Sequence, residues 1–315
     1  MNEAPFQLGI ADAVAAPHEQ IRLLGQPHLA DYISFVREKT VGGEDADPRV
    51  LADEWRAAND YYYDLEQHEA GIAGEVECLE LDPALTLLAE KTKADTRFAR
   101  AFDTLPTSFG LVELDRLVVC QQFVTRNFVE GLKARLGPAP DPERLFRFCQ
   151  PLERKDPPVK VDRIEARRFM FTSDSTDFRA HDPALLSADQ IEGLTSSGPV
   201  SAVVGLVVGF GSNYLQAIRA DDRLILHNGY HRAYALRELG ITHAPCVIQT
   251  VTRRDELNLI ASSAVADAPE FYCKAARPPL LKDFFDPRIR KVLAVRRIKK
   301  MIEVKYEVRE FQVIE

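Results

Sequence analysis

Residues 224–240 constrain the fold of this chain more than any other segment. Their first four residues, Leu-Ile-Leu-His, are typical of a buried strand, and residues 232–239 have the pattern of a helix that Gly240 ends. Gly229 lies between the two and permits a tight turn. Because the first N–H groups of a helix are unpaired and its dipole favours negative charge, this arrangement predicts a binding site for an anion.

The side chains at the start of the predicted helix fit the same chemistry. His231 and Arg232 open the helix, and an arginine guanidinium offers a fork of donors that matches phosphate oxygens. Two alternatives stay open, since His231 could cap the helix and Arg232 could pair at the surface with Asp222 or Glu238. The histidines around the turn do not have the spacing of a helical metal site, so no protein-bound metal is predicted.

Further candidates precede this turn in the sequence. Asp174 and Asp177 follow a predicted strand and could act as a general base in a cleft, although a polar loop that caps its own backbone is an equal alternative. Glu192 is a weaker candidate for the same role. Ser212 and Asn213 end a second glycine-containing bend, which forms either another wall of the pocket or a simple strand-end turn.

The composition narrows the class of protein. The chain has 315 residues, of which 46% are hydrophobic, so it can bury a sizeable core and form more than one domain. Its net charge of -8 argues against broad nucleic-acid binding. Residues 274–300, however, hold 10 Lys and Arg against 2 Asp. A local surface that contacts a nucleic acid or an acidic partner therefore stays an alternative to a solvated helix face.

The expected location is the cytoplasm. Five widely spaced cysteines without a Cys-x-x-Cys pair fit buried thiols in a reducing compartment better than disulfides or a structural zinc site. The first residues lack the basic and apolar regions of a signal peptide. Residues 200–210 form the longest apolar run, which is too short to cross a bilayer, so no membrane association is expected.

The periodicities predict an α+β protein in three parts. Apolar residues at helical spacing and three Asp-Pro pairs, which suit helix starts, predict helices in the first half of the chain. Short strands and helices alternate in the second half. The predicted parts are a helical domain over residues 1–150, a small mixed-sheet domain over 160–265 and a C-terminal arm over 266–315.

Several elements within these parts are predicted individually. In the first half, residues 111–136 have the spacing of one long helix. In the second half, residues 187–196 read as a short helix and residues 200–208 as a buried strand. In the C-terminal arm, residues 286–300 read as a basic helix, and residues 302–308 alternate strictly between apolar and charged side chains, which indicates an edge strand. A β-hairpin is predicted to lie just before the glycine turn.

Residues 213–262 resemble the ParB/sulfiredoxin superfamily in the order of their elements. A strand, the turn Gly-Tyr-His-Arg, a helix, Leu-Gly-Ile and the strand Ala-Pro-Cys-Val-Ile-Gln follow one another as they do there. Sulfiredoxin-like proteins have a Gly-Cys-His-Arg turn, a helix and an Ile-Pro strand that ends in Gln, and ParB-like proteins have Gly-x-x-Arg at the same place. Residues 187–198 are similar to the helix and Ser-x-x-Gly bend that precede this turn in ParB proteins.

The resemblance implies that Gly229, His231 and Arg232 contact the phosphates of a nucleotide, with Asn228 and Tyr230 beside them. The ligand would be ATP or CTP, with a Mg²⁺ ion that arrives with the nucleotide. Tyr230 stands where sulfiredoxins carry their reactive cysteine, and a phenol cannot replace that thiolate. The Glu-Asn motif and the helix-turn-helix of ParB proteins are not visible after the turn, so neither family's typical activity is expected.

Three functions stay open. The first is a phosphotransferase or nucleotide hydrolase in which His231 and Arg232 stabilise the charge in transfer and the acceptor is a small molecule or a protein side chain. The second is a nucleotide-sensing switch without turnover, which would form a homodimer through its C-terminal strand and contact a nucleic acid or an acidic protein. The third is a scaffold that has lost ligand binding.

Overall fold

The computed structural model describes residues 17–26, 28–152, 157–175, 177–181, 183–191, 193 and 197–314. Its strands are, in chain order, β1 (His18–Leu23), β2 (Cys78–Leu79), β3 (Thr107–Glu113), β4 (Val118–Val119), β5 (Phe123–Thr125), β6 (Lys160–Glu165), β7 (Arg168–Ser173), β8 (Phe178–Ala180), β9 (Ala184–Leu186), β10 (Val203–Gly205), β11 (Val208–Phe210), β12 (Gln216–Ala220), β13 (Arg223–Asn228), β14 (His243–Val251), β15 (Arg290–Val295) and β16 (Lys300–Lys305). Its helices are α1 (Leu29–Lys39), α2 (Pro48–Glu69), α3 (Thr86–Lys93), α4 (Thr96–Ala101), α5 (Arg126–Leu136), α6 (Pro142–Cys149), α7 (Tyr230–Glu238), α8 (Arg254–Ile260), α9 (Ser263–Asp267) and α10 (Pro269–Lys274). Short 3₁₀ turns cover Gly43–Asp45, Pro83–Leu85, Leu114–Arg116, Ala188–Gln190 and Leu281–Phe285. The prediction of an α+β protein is confirmed.

The chain divides into two compact units, and each is made of two separate stretches. The first unit holds the described residues up to Leu152 together with Asn213–Arg297, and the second holds those of 153–212 and 298–315. The sequence-based boundary near residue 150 falls where the second unit begins. Residues 213–265, however, lie in the first unit and not with residues 160–212, because strand pairing joins them to the N-terminal half.

A six-stranded sheet forms the centre of the first unit, in the order β2-β3-β14-β12-β13-β4. Strands β12 and β13 are the predicted hairpin, closed by a turn in which Asp221 has a φ of 54°. Strand β14 pairs in parallel with β12, so α7 lies on the crossover between β13 and β14. Strand β3 runs antiparallel to β14, and β4 runs parallel to β13. These pairings bring the first half of the chain into the same sheet.

The central strands of this sheet are buried on both faces. Leu224 and Leu226 of β13 belong to a core cluster that includes residues of α5 and α7. Ile225, between them, belongs to a second cluster that includes residues of α8, α9 and α10. Because helices cover both faces, the strand needs apolar residues at every position, which explains the run Leu-Ile-Leu that marks this segment in the sequence.

The prediction of a purely helical first half is wrong. Residues 111–136, predicted as one helix, contain the end of β3, then β4, β5 and α5. Val118 and Val124 are inaccessible to solvent, and β-branched residues in short buried runs suit strands. Their spacing also satisfies a helical pattern, so only the pairing with partners far along the chain decides between the two.

Asp-Pro pairs begin two of the helices as predicted. Asp47 Oδ1 accepts a hydrogen bond from the Arg49 N–H at 2.8 Å at the start of α2. Asp141 Oδ1 accepts one from the Arg144 N–H at 2.8 Å at the start of α6. Each carboxylate satisfies an N–H group that has no partner within the helix, and proline occupies the next position without losing a hydrogen bond.

The predicted basic helix over residues 286–300 is also wrong. Its central part forms β15, which runs antiparallel to β1 in a three-stranded sheet of order β15-β1-β5. Leu293 and Val295 pack in a cluster with residues of α1 and α2, so the buried positions alternate as a strand requires. Cations of this segment pair with carboxylates of the same unit, namely Arg288 with Asp286, Lys291 with Glu54 and Arg296 with Glu44.

The second unit contains small sheets. Strands β16, β7 and β6 form an antiparallel sheet in that order, so the C-terminal strand lies at an edge, as predicted. Strand β8 pairs with β11, and β9 pairs with β10. The predicted buried strand over residues 200–208 is instead divided between β10 and β11, because each piece pairs with a different short strand. Val204 is 69% exposed.

The helix predicted over residues 187–196 corresponds to a shorter element. The described part is the 3₁₀ turn Ala188–Gln190, in which the Ser187 N–H donates to Gln190 Oε1 at 2.9 Å. Glu192, the weaker candidate base, lies outside the described residues. Most of the predicted helix beyond Ile191 is outside them as well.

Candidate functional site

Gly229 forms the predicted tight turn between β13 and α7. Its φ of 92° and ψ of 22° lie in the left-handed region. The Gly229 carbonyl accepts hydrogen bonds from the Arg232 N–H at 2.9 Å and the Ala233 N–H at 2.8 Å, which starts the helix. A Cβ at this position would lie 2.7 Å from Leu215 Cδ1. Both the backbone conformation and the lack of space therefore require glycine.

Within the described part of the chain, two N–H groups at the N-terminus of α7 stay available as donors. Asn228 Oδ1 accepts a hydrogen bond from the Gly229 N–H at 2.8 Å, and the Arg232 N–H is bonded to the Gly229 carbonyl. Within the described residues, the N–H groups of Tyr230 and His231 have no acceptor. These two N–H groups, at the positive end of a nine-residue helix, can donate to an anion.

Arg232 is buried, with 7% of its surface exposed, and its guanidinium contacts the protein itself. Its Nη1 donates to the Cys149 carbonyl at 3.1 Å. Its Nη2 donates to the carbonyl of Asn213 at 3.1 Å and to Asn213 Oδ1 at 2.6 Å. Neither Asp222 nor Glu238, the predicted surface partners, is among these acceptors. Arg232 therefore ties the end of α6 and the start of the hairpin to the first turn of α7.

The imidazole of His231 packs against aromatic rings of neighbouring elements. Phe128 on α5 and Phe123 on β5 lie edge-on, with ring centroids 5.2 Å and 6.5 Å from that of His231. Burial, with a smaller contribution from the charge of Arg232, lowers the pKa of His231 to about 4. The side chain is therefore neutral at pH 7. No capping hydrogen bond of this side chain is found among the described residues.

Tyr230 attaches the turn to β13, which precedes it, and to Cys120, the residue that follows β4. Its hydroxyl donates to the Leu226 carbonyl and accepts a hydrogen bond from the Cys120 N–H at 3.4 Å. Cys120 Sγ lies 2.9 Å from the phenol oxygen. Burial raises the pKa of Tyr230 well above its usual value. The buried phenol is thus a structural contact, and any contact of this residue with a ligand would come from its backbone.

The predicted site residues are divided between the two units. Asn213, Asn228 and residues 229–232 all belong to the first unit, and Asn213 is joined to the turn through Arg232. Ser212, Asp174 and Asp177 belong to the second unit. Ser212 and Asp174 are exposed, the latter in a bend that follows β7.

Asp177 stabilises the loop in which it lies. Its Oδ2 accepts a hydrogen bond from the Gly211 N–H at 3.1 Å, and its other oxygen pairs with Arg179. These contacts match the alternative of a polar loop that bonds to its own backbone. A general base must have a lone pair directed at its substrate, so this arrangement supports a structural role for Asp177.

Arg22 is a cation that contacts the same aromatic ring as His231, and the sequence pattern did not indicate it. It lies on β1 with its guanidinium 3.8 Å from the ring centre of Phe35 and 5.7 Å from that of Phe123, which also contacts His231. The described residues provide no carboxylate for Arg22, and its buried Nε has no acceptor. Burial lowers the pKa of Arg22 to about 10, so it stays charged at pH 7. A desolvated cation without a counter-ion favours an anion nearby.

Comparison with known proteins identifies no relative. No protein-family model, curated protein or solved structure matches the chain. The resemblance to the ParB/sulfiredoxin superfamily therefore depends on the turn and on the order of the elements around it. Within the part of the chain that the structure describes, no three His, Cys, Asp or Glu side chains are grouped to hold a metal ion. In the same residues, no helix combines the length and the apolarity that a membrane span requires.

Proposed function

We propose that this protein binds a nucleotide, ATP or CTP with its Mg²⁺ ion, through phosphate contacts at the N-terminus of α7. One observation carries the proposal: Gly229 holds a left-handed turn after a buried strand and leaves the N–H groups of Tyr230 and His231 without acceptors in the described residues. Such N–H groups at the positive end of a helix suit phosphate oxygens. The resemblance of the turn to ParB/sulfiredoxin proteins supports the same class of ligand.

The side chains around the turn would have different roles. Arg22 would attract the phosphate, because it is charged and lacks a described carboxylate partner. His231 would donate one hydrogen bond as a neutral imidazole. Arg232 would be a positioning residue, since its Nη groups already bond to oxygens of Cys149 and Asn213. The charge that attracts the ligand and the guanidinium that shapes the turn would thus come from different arginines.

Binding without turnover is the form of this function that the geometry favours. Phosphoryl transfer needs a group that orients the acceptor or the attacking water, and Asp177 is occupied by contacts within its own loop. We therefore infer a nucleotide-sensing role first. A phosphotransferase or nucleotide hydrolase is the second candidate, and the exposed carboxylate of Asp174, for which no partner is described, is the observation that keeps it.

A thermal-shift panel tests the proposal, with ATP, ADP, CTP and GTP, each with and without magnesium, on the full chain. A ligand that binds only the native state stabilises it by about 2.7 kcal/mol at a hundredfold excess over Kd. We expect a triphosphate to raise the Tm of the wild type, and Arg22→Gln and His231→Ala to remove most of that increase. The matched control is Arg237→Gln, because Arg237 lies on the same helix but pairs with Asp115.

The readout must be the ligand-induced change in Tm and not the Tm itself. Arg232→Ala removes the three hydrogen bonds that the buried Arg232 side chain donates, so it would lower the Tm even without a ligand. Chromatography of the bound nucleotide then separates the two candidates: intact nucleotide supports sensing, whereas a diphosphate product that Asp174→Asn abolishes supports an enzyme. If no nucleotide raises the wild-type Tm, the proposal fails and the scaffold interpretation takes its place.

A further inference from the structure

The C-terminal segment of the second unit has an open edge that nucleotide binding does not use. Strand β16 lies at the edge of its sheet, and its last bond to β7 is made by the Tyr306 N–H, which donates to the Arg167 carbonyl at 3.3 Å. Beyond it, no backbone hydrogen bond is described for residues 307–314. Apolar side chains are nevertheless exposed here, with Tyr306 at 44%, Val308 at 56% and Phe311 at 81%. An unpaired edge of this kind is a template for another strand.

The direction of the backbone groups limits how such a strand can pair. The bond from Tyr306 to Arg167 means that the even-numbered residues of β16, such as Ile302 and Val304, direct their N–H and C=O groups toward β7. Glu303 and Lys305 therefore direct theirs to the open side. In an antiparallel pair formed on that side, each odd-numbered residue of β16 must lie opposite a residue of the added strand whose own N–H and C=O groups are directed at β16.

The charges along this segment select a second copy of the chain in one register. Residues 303, 305, 307 and 309 are Glu, Lys, Glu and Arg. When two copies pair antiparallel about Tyr306, Lys305 lies opposite Glu307 of the second copy and Glu303 lies opposite Arg309 of the second copy. The two-fold symmetry repeats both pairs, so each of these charges meets its opposite. A slide of two residues in either direction keeps neither pair and places like charges opposite each other: Lys305 would meet itself and Glu303 would meet Glu307, or Glu307 would meet itself and Lys305 would meet Arg309.

The same register places apolar side chains together. Val304 lies opposite Val308 of the second copy, Tyr306 lies opposite itself, and all of them are on one face of the sheet because they are two residues apart. Opposite charges and aromatic or β-branched pairs directly across an antiparallel ladder each stabilise it. The register also places the backbone groups correctly. Residues 303 and 305 pair with residues 309 and 307 of the second copy, and all four are odd-numbered, so their N–H and C=O groups are directed at the open side.

We propose that this protein forms a homodimer by antiparallel pairing of residues 302–310. The three-stranded sheets of two copies join into one sheet of six strands. A small sheet with exposed faces gains stability from added strands, and Val161 on β6 is 56% exposed in a single chain. The interface does not depend on the nucleotide, so its test is made without one and its failure would leave the phosphate-site proposal unaffected.

A cysteine at the symmetry axis gives the sharpest test. Tyr306 lies at a non-hydrogen-bonded position of the new pair, where Cα atoms are about 4.5 Å apart, within the range of about 4.4–6.8 Å that a disulfide spans. We expect mild oxidation of Tyr306→Cys to give a covalent dimer on a non-reducing gel. Val304→Cys is the matched control, because its two copies would lie four residues apart, or about 13 Å. The wild type controls for disulfides through its own cysteines.

A charge exchange at Lys305 and Glu307 tests the register by sedimentation of the full chain. Lys305→Glu alone, or Glu307→Lys alone, places like charges opposite each other twice, and we expect the dimer dissociation constant to rise by about tenfold or more. The double variant should restore wild-type association. A wild type that is monomeric at about 50 μM, well above the micromolar Kd of a moderate interface, would overturn the proposal. So would a dimer that the single reversals do not weaken, or one in which Val304→Cys links as readily as Tyr306→Cys.

Discussion

The two units of this protein contain similar strand sequences with different degrees of burial. In the first unit, Ile218 on β12 is inaccessible, and every core cluster found in the described residues belongs to this unit. In the second unit, Ile164 on β6 is 38% exposed and Val161 is 56% exposed. Helices cover both faces of the first sheet, whereas the described part of the second unit contains strands and one 3₁₀ turn. The comparison shows that covering elements, more than strand sequence, determine how much a strand contributes to stability.

The largest effect should come from a comparison of two ion pairs, one in each unit. The side chains of Arg277 and Asp283 are 1% and 2% exposed, and they form a direct pair. Arg277→Met leaves Asp283 buried without its partner, so we expect the free energy of unfolding to fall by about 3–5 kcal/mol in urea denaturation. Arg168→Met, which breaks the more exposed pair with Glu303, should cost under about 1 kcal/mol. If both substitutions lowered the free energy of unfolding by the same amount, the burial of the ion pair would not explain a difference in stability between the two units.

The same substitution at two isoleucines sharpens the comparison. Ile218→Ala creates a cavity in the first unit, and we expect a loss of about 2–5 kcal/mol in the free energy of unfolding. Ile164→Ala removes a partly exposed side chain in the second unit and should cost under about 1 kcal/mol. Urea titrations followed by circular dichroism and by the fluorescence of Trp55 measure both. A loss at Ile164 that matches the loss at Ile218 would contradict the difference in packing.

The smallest effect is a dependence on pH that burial of His231 causes in the first unit. Its pKa is about 4 in the folded protein against an ordinary 6.5. Between those values the unfolded chain binds a proton that the folded chain does not, so stability falls as the pH drops from about 6.5 to about 4 and is unaffected above that window. We expect His231→Gln to remove up to about 3 kcal/mol of that fall, measured by urea titration at several pH values. If the free energy of unfolding changed with pH by the same amount in the variant and in the wild type, the result would contradict the burial of this imidazole.

Features that depend on neighbours in the sequence were predictable. The hairpin, the Gly229 turn and the caps at Asp47 and Asp141 follow from turn and capping chemistry within a few residues. The edge strand β16 follows from strict alternation. Residues 111–136 and 286–300 were not predictable, because their apolar spacing fits both a helix and short strands. Their strand state depends on partners such as β13 and β1, which lie far away along the chain.

The sequence by itself determined that a glycine turn joins a buried strand to a helix, and that the last strand alternates apolar and charged residues. Only the tertiary structure decided what the side chains of the turn contact. Arg232 bonds to carbonyl oxygens of Cys149 and Asn213, and Arg22 lies beside Phe123 without a described carboxylate. The physical reason is that hydrogen-bond partners and desolvation depend on atoms brought together from distant parts of the chain, which residue spacing does not specify.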